Sequence, residues 1–298
     1  MLFKIFKTYL ILMGIVLFGS FSNGQDTFSQ QYLSTSTTIV NENNLKLLSW
    51  NIKMHSPPYA WLNNPVRRAE NIIQALKNFG MYDVILFQEA FSSKIRKMIY
   101  QSLQSTYPYQ IEPKDQSAFF RTNSGLWVIS RNPIMLIDEI SFSQLRGWDK
   151  FASKGAKLYS TIKNGLEFYI INTHMQADYK TKYNIVRIDQ YTEINNNLIL
   201  PYVKQGLPLL MCGDLNISKQ SHLASLLKKL KLSNGLLSGE LQFSTVGQYK
   251  ELLDYILVKT ETFKFQSVER KIQDLTGDMF NNPTQLSDHY AVEGIFRW

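Results

Sequence analysis

The sequence predicts an α/β protein built in layers, and three observations point there. Short apolar runs of strand length alternate with longer segments of helical periodicity in both halves of the chain. Several of those runs end on polar side chains capable of chemistry. One stretch, Leu209-Leu210-Met211-Cys212-Gly213-Asp214-Leu215-Asn216, shows the pattern most fully. Entered after Pro208 and closed by polar residues, it reads as a buried strand reaching a sheet edge. Strand alternation would put Asp214 and Asn216 on one face. Gly213 would let another backbone come close. Taken alone, a Gly-Asp-Asn turn explains this stretch equally well.

The chain has 298 residues, enough for one large domain or two small ones. Lys4 and Lys7 precede an uncharged apolar stretch, Tyr9 to Phe18, and small residues follow to Gly24. That is a secretory signal pattern, too short for a comfortable membrane span. Residues 1–24 are therefore expected to be a signal peptide, with a retained N-terminal anchor the lesser reading. Residues 25–44, rich in Ser, Thr, Gln and Asn, would form a flexible leader. The mature chain would be secreted or periplasmic. Its single cysteine, Cys212, lies in the apolar run and reads as a small core residue. No internal disulfide is then available, so stability must come from the core. The formal charge is +8, and +6 without Lys4 and Lys7. A basic surface suits phosphate-bearing partners, nucleic acid or membrane alike.

From Leu45 the elements follow in order. Leu45 to Ile52 is a strand ending in Trp50-Asn51. Asn64 can cap a helix with Pro65 in its first turn and Gly80 at its end. Val66, Ala69, Ile72, Ile73 and Leu76 recur there at helical spacing. Asp83 to Phe87 is a strand ending in Gln88-Glu89. Ser92 or Ser93 would cap a helix carrying Ile95, Met98, Ile99 and Leu103. Gly125 to Ser130, Ile134 to Phe142, Ala156 to Ile162 and Leu166 to Thr173 read as strands, with Asn164-Gly165 as a hairpin turn. A helix from about Tyr183 to Leu198 precedes the Leu209 strand. Ser218 would cap another with Leu223, Leu226, Leu227 and Leu230. Leu252 to Val258, carrying Asp254, and Tyr290 to Phe296 close the chain as strands.

Asn51, Glu89, His174, Asp214, Asn216, Asp288 and His289 each lie at the edge of an apolar run. Strand ends of layered α/β proteins converge on one rim. Oxygen ligands without a cysteine cluster suit a hard divalent cation rather than structural zinc. Asp288-His289 is a plausible base with its orienting carboxylate. Singly, each has a bland alternative: a turn cap for Asn51, a solvated helix start for Glu89, a core imidazole for His174. Seven such coincidences together are hard to credit.

Trp50-Asn51, Gln88-Glu89, Gly213-Asp214-x-Asn216 and Ser287-Asp288-His289 resemble, in order, the signature of the endonuclease/exonuclease/phosphatase superfamily, over 45–298. The resemblance implies two packed mixed β-sheets flanked by helices, a DNase I-like sandwich. Gly147-x-Asp149 with Lys154-Gly155, His174-x-Gln176-Ala177 and Asn123-Ser124-Gly125-Leu126 running into Ser130-Arg131 look like stretches of the neutral sphingomyelinases. By that resemblance Glu89, with Asn51 close by, would hold Mg²⁺, with Mn²⁺ or Co²⁺ as alternatives. His289 would be the base and Asp288 its orienting acid. His174 and Asn216 would donate to phosphoryl oxygens, and Asp214 would orient the water or the metal's shell. Asp149 and Lys154 would organise a loop at the substrate.

The implied activity is Mg²⁺-dependent hydrolysis of sphingomyelin, or a related choline phospholipid at a membrane surface, to ceramide and phosphocholine. No prominent aromatic hairpin precedes Ser287, and no obligate protein partner is evident. A secreted DNase I-like endonuclease is the alternative, which would cleave DNA in a salt-sensitive way; nucleic acid is the less favoured partner. A phosphate-binding module without turnover is a third reading. Intact Glu89, Asp214, Asn216 and His289 count against it.

Overall fold

Side-chain parity along each strand decides both the layering and the position of the site. In the computed structural model, which describes residues 43–298 apart from 56–63, 115–121, 178–181, 249, 260, 262 and 276–285, the strands form two sheets. The expected signal and most of the leader lie outside the described residues. The same holds for the stretch just before Leu286, where the hairpin expectation fell.

The first seven strands are β1 (Asn44–Met54), β2 (Val84–Ala90), β3 (Tyr109–Ile111), β4 (Trp127–Ser130), β5 (Ile134–Ser141), β6 (Gly155–Lys163) and β7 (Leu166–His174). They are followed by β8 (Leu209–Asp214), β9 (Leu232–Asn234), β10 (Leu236–Ser238), β11 (Asp254–Lys259), β12 (Ser267–Gln273) and β13 (Ala291–Arg297). The helices are α1 (Pro65–Asn78), α2 (Ser93–Leu103), α3 (Asn184–Ile194), the short α4 (Leu200–Tyr202) and α5 (Gln220–Leu230). One sheet runs β10-β12-β13-β1-β2-β4-β3 and the other β5-β6-β7-β8-β11-β9. Two packed mixed sheets flanked by helices are what the sequence led us to expect.

On β1, Leu45 and Leu47 point into the space between the sheets, where they meet Leu210, Cys212, Ile256 and Phe168. Leu48, Trp50 and Ile52 point the other way, onto Ala69, Ile72 and Ile73 of α1 and Ile95 and Ile99 of α2. The second sheet repeats the arrangement. Ile170, Leu210 and Ile256 face inward. Ile171, Met211 and Leu257 pack under Tyr191 and Ile194 of α3 and Leu223 and Leu226 of α5. Helix, sheet, sheet and helix are thus held by three apolar layers, each filled by one parity of the strands. Cys212 is free and buried in the central layer.

Local expectations were corrected at several points. Asn64 precedes α1 but adopts φ 42° and makes no side-chain cap. Val66 is exposed rather than part of the core face. Ser92 precedes α2, likewise without a side-chain cap, and α5 is preceded by Lys219 rather than Ser218. The helix expected over 183–198 is present and runs without interruption from Asn184 to Tyr202, as α3, one π-helical turn at Asn195–Ile199 and α4. Pro201 in α4 has no N–H to return to the preceding turn, which accounts for the widening there. Asn164 and Gly165 both take positive φ, as the tight β6–β7 hairpin requires.

Candidate active site

The inward parity that fills the central layer continues into polar residues at one mouth of the sandwich. Along β1 the series passes from Leu47 through Ser49 to Asn51, and along β7 from Ile170 through Asn172 to His174. On β8 it runs from Cys212 to Asp214. β1 and β2 are parallel, as are β7 and β8, so all four deliver their C-terminal ends to the same rim. β11 runs antiparallel to β8, and Asp254 pairs with Asp214. It is therefore the first residue of β11 that arrives there. Just below the rim Gln88 Nε2 donates to Asn172 Oδ1 at 2.8 Å and ties the two sheets together.

Asp214 is 2% exposed and sits at the centre. Its Oδ2 accepts Asn51 Nδ2 at 3.0 Å and lies 3.5 Å from His174 Nε2 and 3.9 Å from His289 Nε2. Its Oδ1 accepts the Asn216 backbone N–H at 2.9 Å. Burial, with the nearby Asp254 carboxylate, pushes the Asp214 carboxyl up to about 7. Gly213 makes this position possible. At φ 135°, a Cβ there would collide with the Thr173 carbonyl across the β7–β8 pair.

His289 approaches on the short segment before β13. Its Nδ1 lies 2.7 Å from Asp254 Oδ2, and that same oxygen accepts Ser244 Oγ–H at 2.6 Å. Burial opposes the imidazolium, but Asp254, by charge and hydrogen bond, outweighs it with help from Asp214 and Asp288. The imidazole is raised to about 10. His174 is moved the other way. Burial, then the Lys154 and His289 charges, hold it well below the ordinary imidazole value, so it is neutral.

Glu89 takes φ 54° at the end of β2. A left-handed conformation at a non-glycine residue is uncommon, and here it brings the carboxylate back over the rim. Oε1 accepts Asn51 Nδ2 at 3.0 Å, while Oε2 faces His55 Nε2 at 3.7 Å. Asn51 thus directs its nitrogen to both carboxylates, and its Oδ1 accepts the Lys53 backbone N–H. In this arrangement it aligns Glu89 and Asp214 rather than offering them an oxygen. Two carboxylates joined by a carboxamide, with one Glu89 oxygen free of that amide, are a donor set that fits a hard divalent cation. Asp214, Asp254 and His289, whose ligand atoms lie within 4.8 Å of one another, form a second group able to hold a cation.

Two expectations for the site are altered by the geometry, and one site residue was missed. Asp288 does not orient His289. Its carboxylate accepts Lys53 Nζ at 2.6 Å, and the imidazole is held by Asp254 instead. The chain bends at Asp288, and Lys53 draws its carboxylate away from the ring. Burial opposes the Asp288 anion, yet Lys53 and His289 keep it below the ordinary carboxylate range. Asn216 does not share a strand face with Asp214. β8 ends at Asp214, and Asn216 turns with φ 51° to donate Nδ2 to Met175 O at 3.1 Å. Asp254 was not singled out for the site, although it opens an apolar run as the other site residues close theirs.

Asp149, partly buried, and buried Lys154 meet at 3.0 Å in an ion pair. Asp149 Oδ2 also accepts Gln176 Nε2 at 2.8 Å and Ala177 N–H at 2.7 Å, while Lys154 Nζ donates to Met175 O at 3.0 Å. The pair therefore secures the Gly147 loop to the segment after His174. Arg68 of α1 performs a similar task on the other side of the mouth. It donates to the carbonyls of Ile52, Lys53 and Leu286. Ser287 Oγ–H adds a bond to Asn51 O at 2.7 Å.

Fold and site together describe a two-sheet α/β protein with carboxylates and imidazoles gathered at one mouth of the sandwich. The Endonuclease/Exonuclease/phosphatase family matches residues 48–289, and the chain belongs to that family. Sphingomyelinase C of Leptospira interrogans is 27% identical over 264 residues, 76% of this chain and 47% of that protein. The chain thus spans about half the length of that relative. Sphingomyelinase C of Listeria ivanovii is 25% identical over 340 residues, 98% of each chain. The structure of a doubly substituted beta toxin from Staphylococcus aureus, with bound magnesium ions, shares the fold. It has a TM-score of 0.72 at 22% identity, over 85% of this chain and 99% of that one. The resemblance to the sphingomyelinases read from the motifs is upheld by these relatives.

Proposed function

We propose that the chain is an exported, Mg²⁺-dependent phosphodiesterase that hydrolyses sphingomyelin to ceramide and phosphocholine. The observation that carries the reading is the Asp254–His289 hydrogen bond, set with Nε2 toward Asp214 at the mouth of the sandwich. The sphingomyelinase relatives support the choice of lipid, and the magnesium in the beta toxin structure supports the choice of ion. The N-terminal sequence supports export.

His289 takes the proton from the attacking water through Nε2, while Asp254 fixes Nδ1 as the protonated nitrogen and steadies the imidazolium that forms. Neutral His174 donates Nε2–H toward a phosphoryl oxygen as charge builds. Asp214 and Asn51 hold these donors in register. Lys53, kept at the rim by Asp288, adds positive charge beside the anionic phosphodiester of the substrate. Glu89 would hold Mg²⁺, which would supply Lewis-acid polarisation of a phosphoryl oxygen and of the leaving alkoxide.

The test incubates the purified chain with sphingomyelin vesicles and, separately, with duplex DNA, in Mg²⁺ or in EDTA, beside His289→Ala. Phosphocholine release that requires both Mg²⁺ and His289 is the expected result. DNA nicking without phosphocholine release would move the substrate to nucleic acid.

A further inference from the structure

Trp148 is 85% exposed and Phe151 54% exposed, one turn apart on the single-turn helix Gly147–Phe151. Their rings lean together, with centroids 6.0 Å apart. Covering side chains of this size is among the larger gains available on folding, so leaving two adjacent ones in water has a cost. The loop that carries them is not loose. Beneath the rings Asp149 is gripped by Lys154, Gln176 and the Ala177 N–H, and Arg146 N–H donates to Gln176 Oε1 at 2.6 Å. The Phe151 carbonyl accepts the Thr122 N–H at 3.0 Å. Buried polar bonds thus hold an apolar tip outward.

Charge and position identify what that tip meets. Exposed Arg146 and Lys150 flank the aromatic pair. The start of α3, with exposed Ile185, reaches the same loop through Tyr183, whose hydroxyl lies 3.6 Å from where a Gly147 Cβ would be. Gln176, the underside of the grip, is two residues past His174. Met175 O links Lys154 to Asn216. The tip therefore stands beside the catalytic mouth. Trp is favoured where one end of a side chain is apolar and the other wet, and flanking cations are drawn to anionic headgroups.

We propose that Trp148 and Phe151 are an interfacial anchor that enters the headgroup region of a lipid bilayer containing anionic lipid. Arg146 and Lys150 contact the phosphates there, and the mouth is held against the membrane. This rests on the lipid-hydrolase reading above for its purpose, but not for its measurement.

The full chain and a Trp148→Ala/Phe151→Ala double variant are sedimented with phosphatidylcholine vesicles containing phosphatidylserine and no sphingomyelin. Each is also assayed on sphingomyelin vesicles and on bis(p-nitrophenyl) phosphate, a soluble phosphodiester. The double variant is expected to lose about tenfold in vesicle binding, near 1.4 kcal/mol, and a similar factor on sphingomyelin vesicles. Its turnover of the soluble diester should match that of the parent chain. Arg146→Gln/Lys150→Gln should flatten the salt dependence of binding. Brominated acyl chains should quench Trp emission in the parent chain and less in Trp148→Phe. Vesicle binding unchanged in the double variant, or quenching unchanged in Trp148→Phe, overturns the anchor. Absence of any phosphodiester hydrolysis by the parent chain would instead strike the enzymatic reading and leave the binding result standing.

Discussion

His289 Nδ1 and Asp254 Oδ2 are 2.7 Å apart, although 35 residues separate them in the chain. The bond exists because β11 runs antiparallel to β8 and so begins where β8 ends. It makes the ring orientation a property of the second sheet, whereas Asp288 belongs to a separate pair with Lys53. Asp254→Asn should lower kcat for phosphocholine release by about 10²-fold or more, through loss of the correct tautomer and of imidazolium stabilisation. Asp288→Asn should cost far less. The activity limb governed by His289 rises with pH, because Asp254 holds the imidazolium. Asp254→Asn should move that limb toward lower pH, and a pH–rate profile of both variants checks it.

Stability should follow the same groups. His289 is raised from 6.5 to about 10 in the fold, so the native state holds that proton more tightly than the unfolded chain. Its contribution is complete below about pH 6.5 and is lost as pH rises through about 10. Asp214, raised to about 7, has its share removed earlier, between the ordinary carboxylate range and about pH 7. In EDTA the melting temperature should therefore fall between neutral pH and pH 10. His289→Gln should remove part of that fall, corresponding to about 2–4 kcal/mol of the wild-type change. Parallel melting curves for the two proteins would reject the assignment.

Gly213 and Arg68 are the two places where the scaffold of the mouth is most exposed to a single change. Gly213→Ala meets the Thr173 carbonyl at φ 135° and must push β7 and β8 apart. The expected loss is about 3 kcal/mol or more by urea unfolding. Arg68→Met keeps much of the packing but strands the carbonyls of Ile52, Lys53 and Leu286. That variant should lose about 2–4 kcal/mol. It should also lower kcat, because Asn51 and His289 sit on the two segments that Arg68 joins.

What the sequence reveals and what it hides divide along a physical line. Asn51, His174 and Asp214 are legible because each ends an apolar run, and parity alone carries them to the rim. Asp254 also borders such a run, but its meaning depends on strand direction, which no local pattern encodes. Adjacency in the chain made Asp288 look like the partner of His289, but its carboxylate pairs with Lys53 from β1 instead. β3, β9 and β10 span three residues each, too few to display a period of two. In β12, Glu269, Arg270 and Lys271 hide the strand behind charge, while Arg270 is buried and donates to Gly235 O.

The two candidate cation groups make opposite predictions for one pair of variants. If Glu89 holds Mg²⁺, the ion should raise the melting temperature of the wild-type protein as a native-state ligand, and the increase should grow with its concentration. Glu89→Gln keeps the hydrogen bond from Asn51 but gives up the charge, so that increase should disappear while the fold persists. Asp254→Asn should retain it, since Asp254 is engaged by His289 and Ser244 rather than facing Glu89. Titration calorimetry with Mg²⁺ on the three proteins reads the same distinction without any turnover. An ion that still binds Glu89→Gln but not Asp254→Asn would place the metal among Asp214, Asp254 and His289. His289 could not then serve as a free base while ligating it, and the proton would have to leave the water by another route.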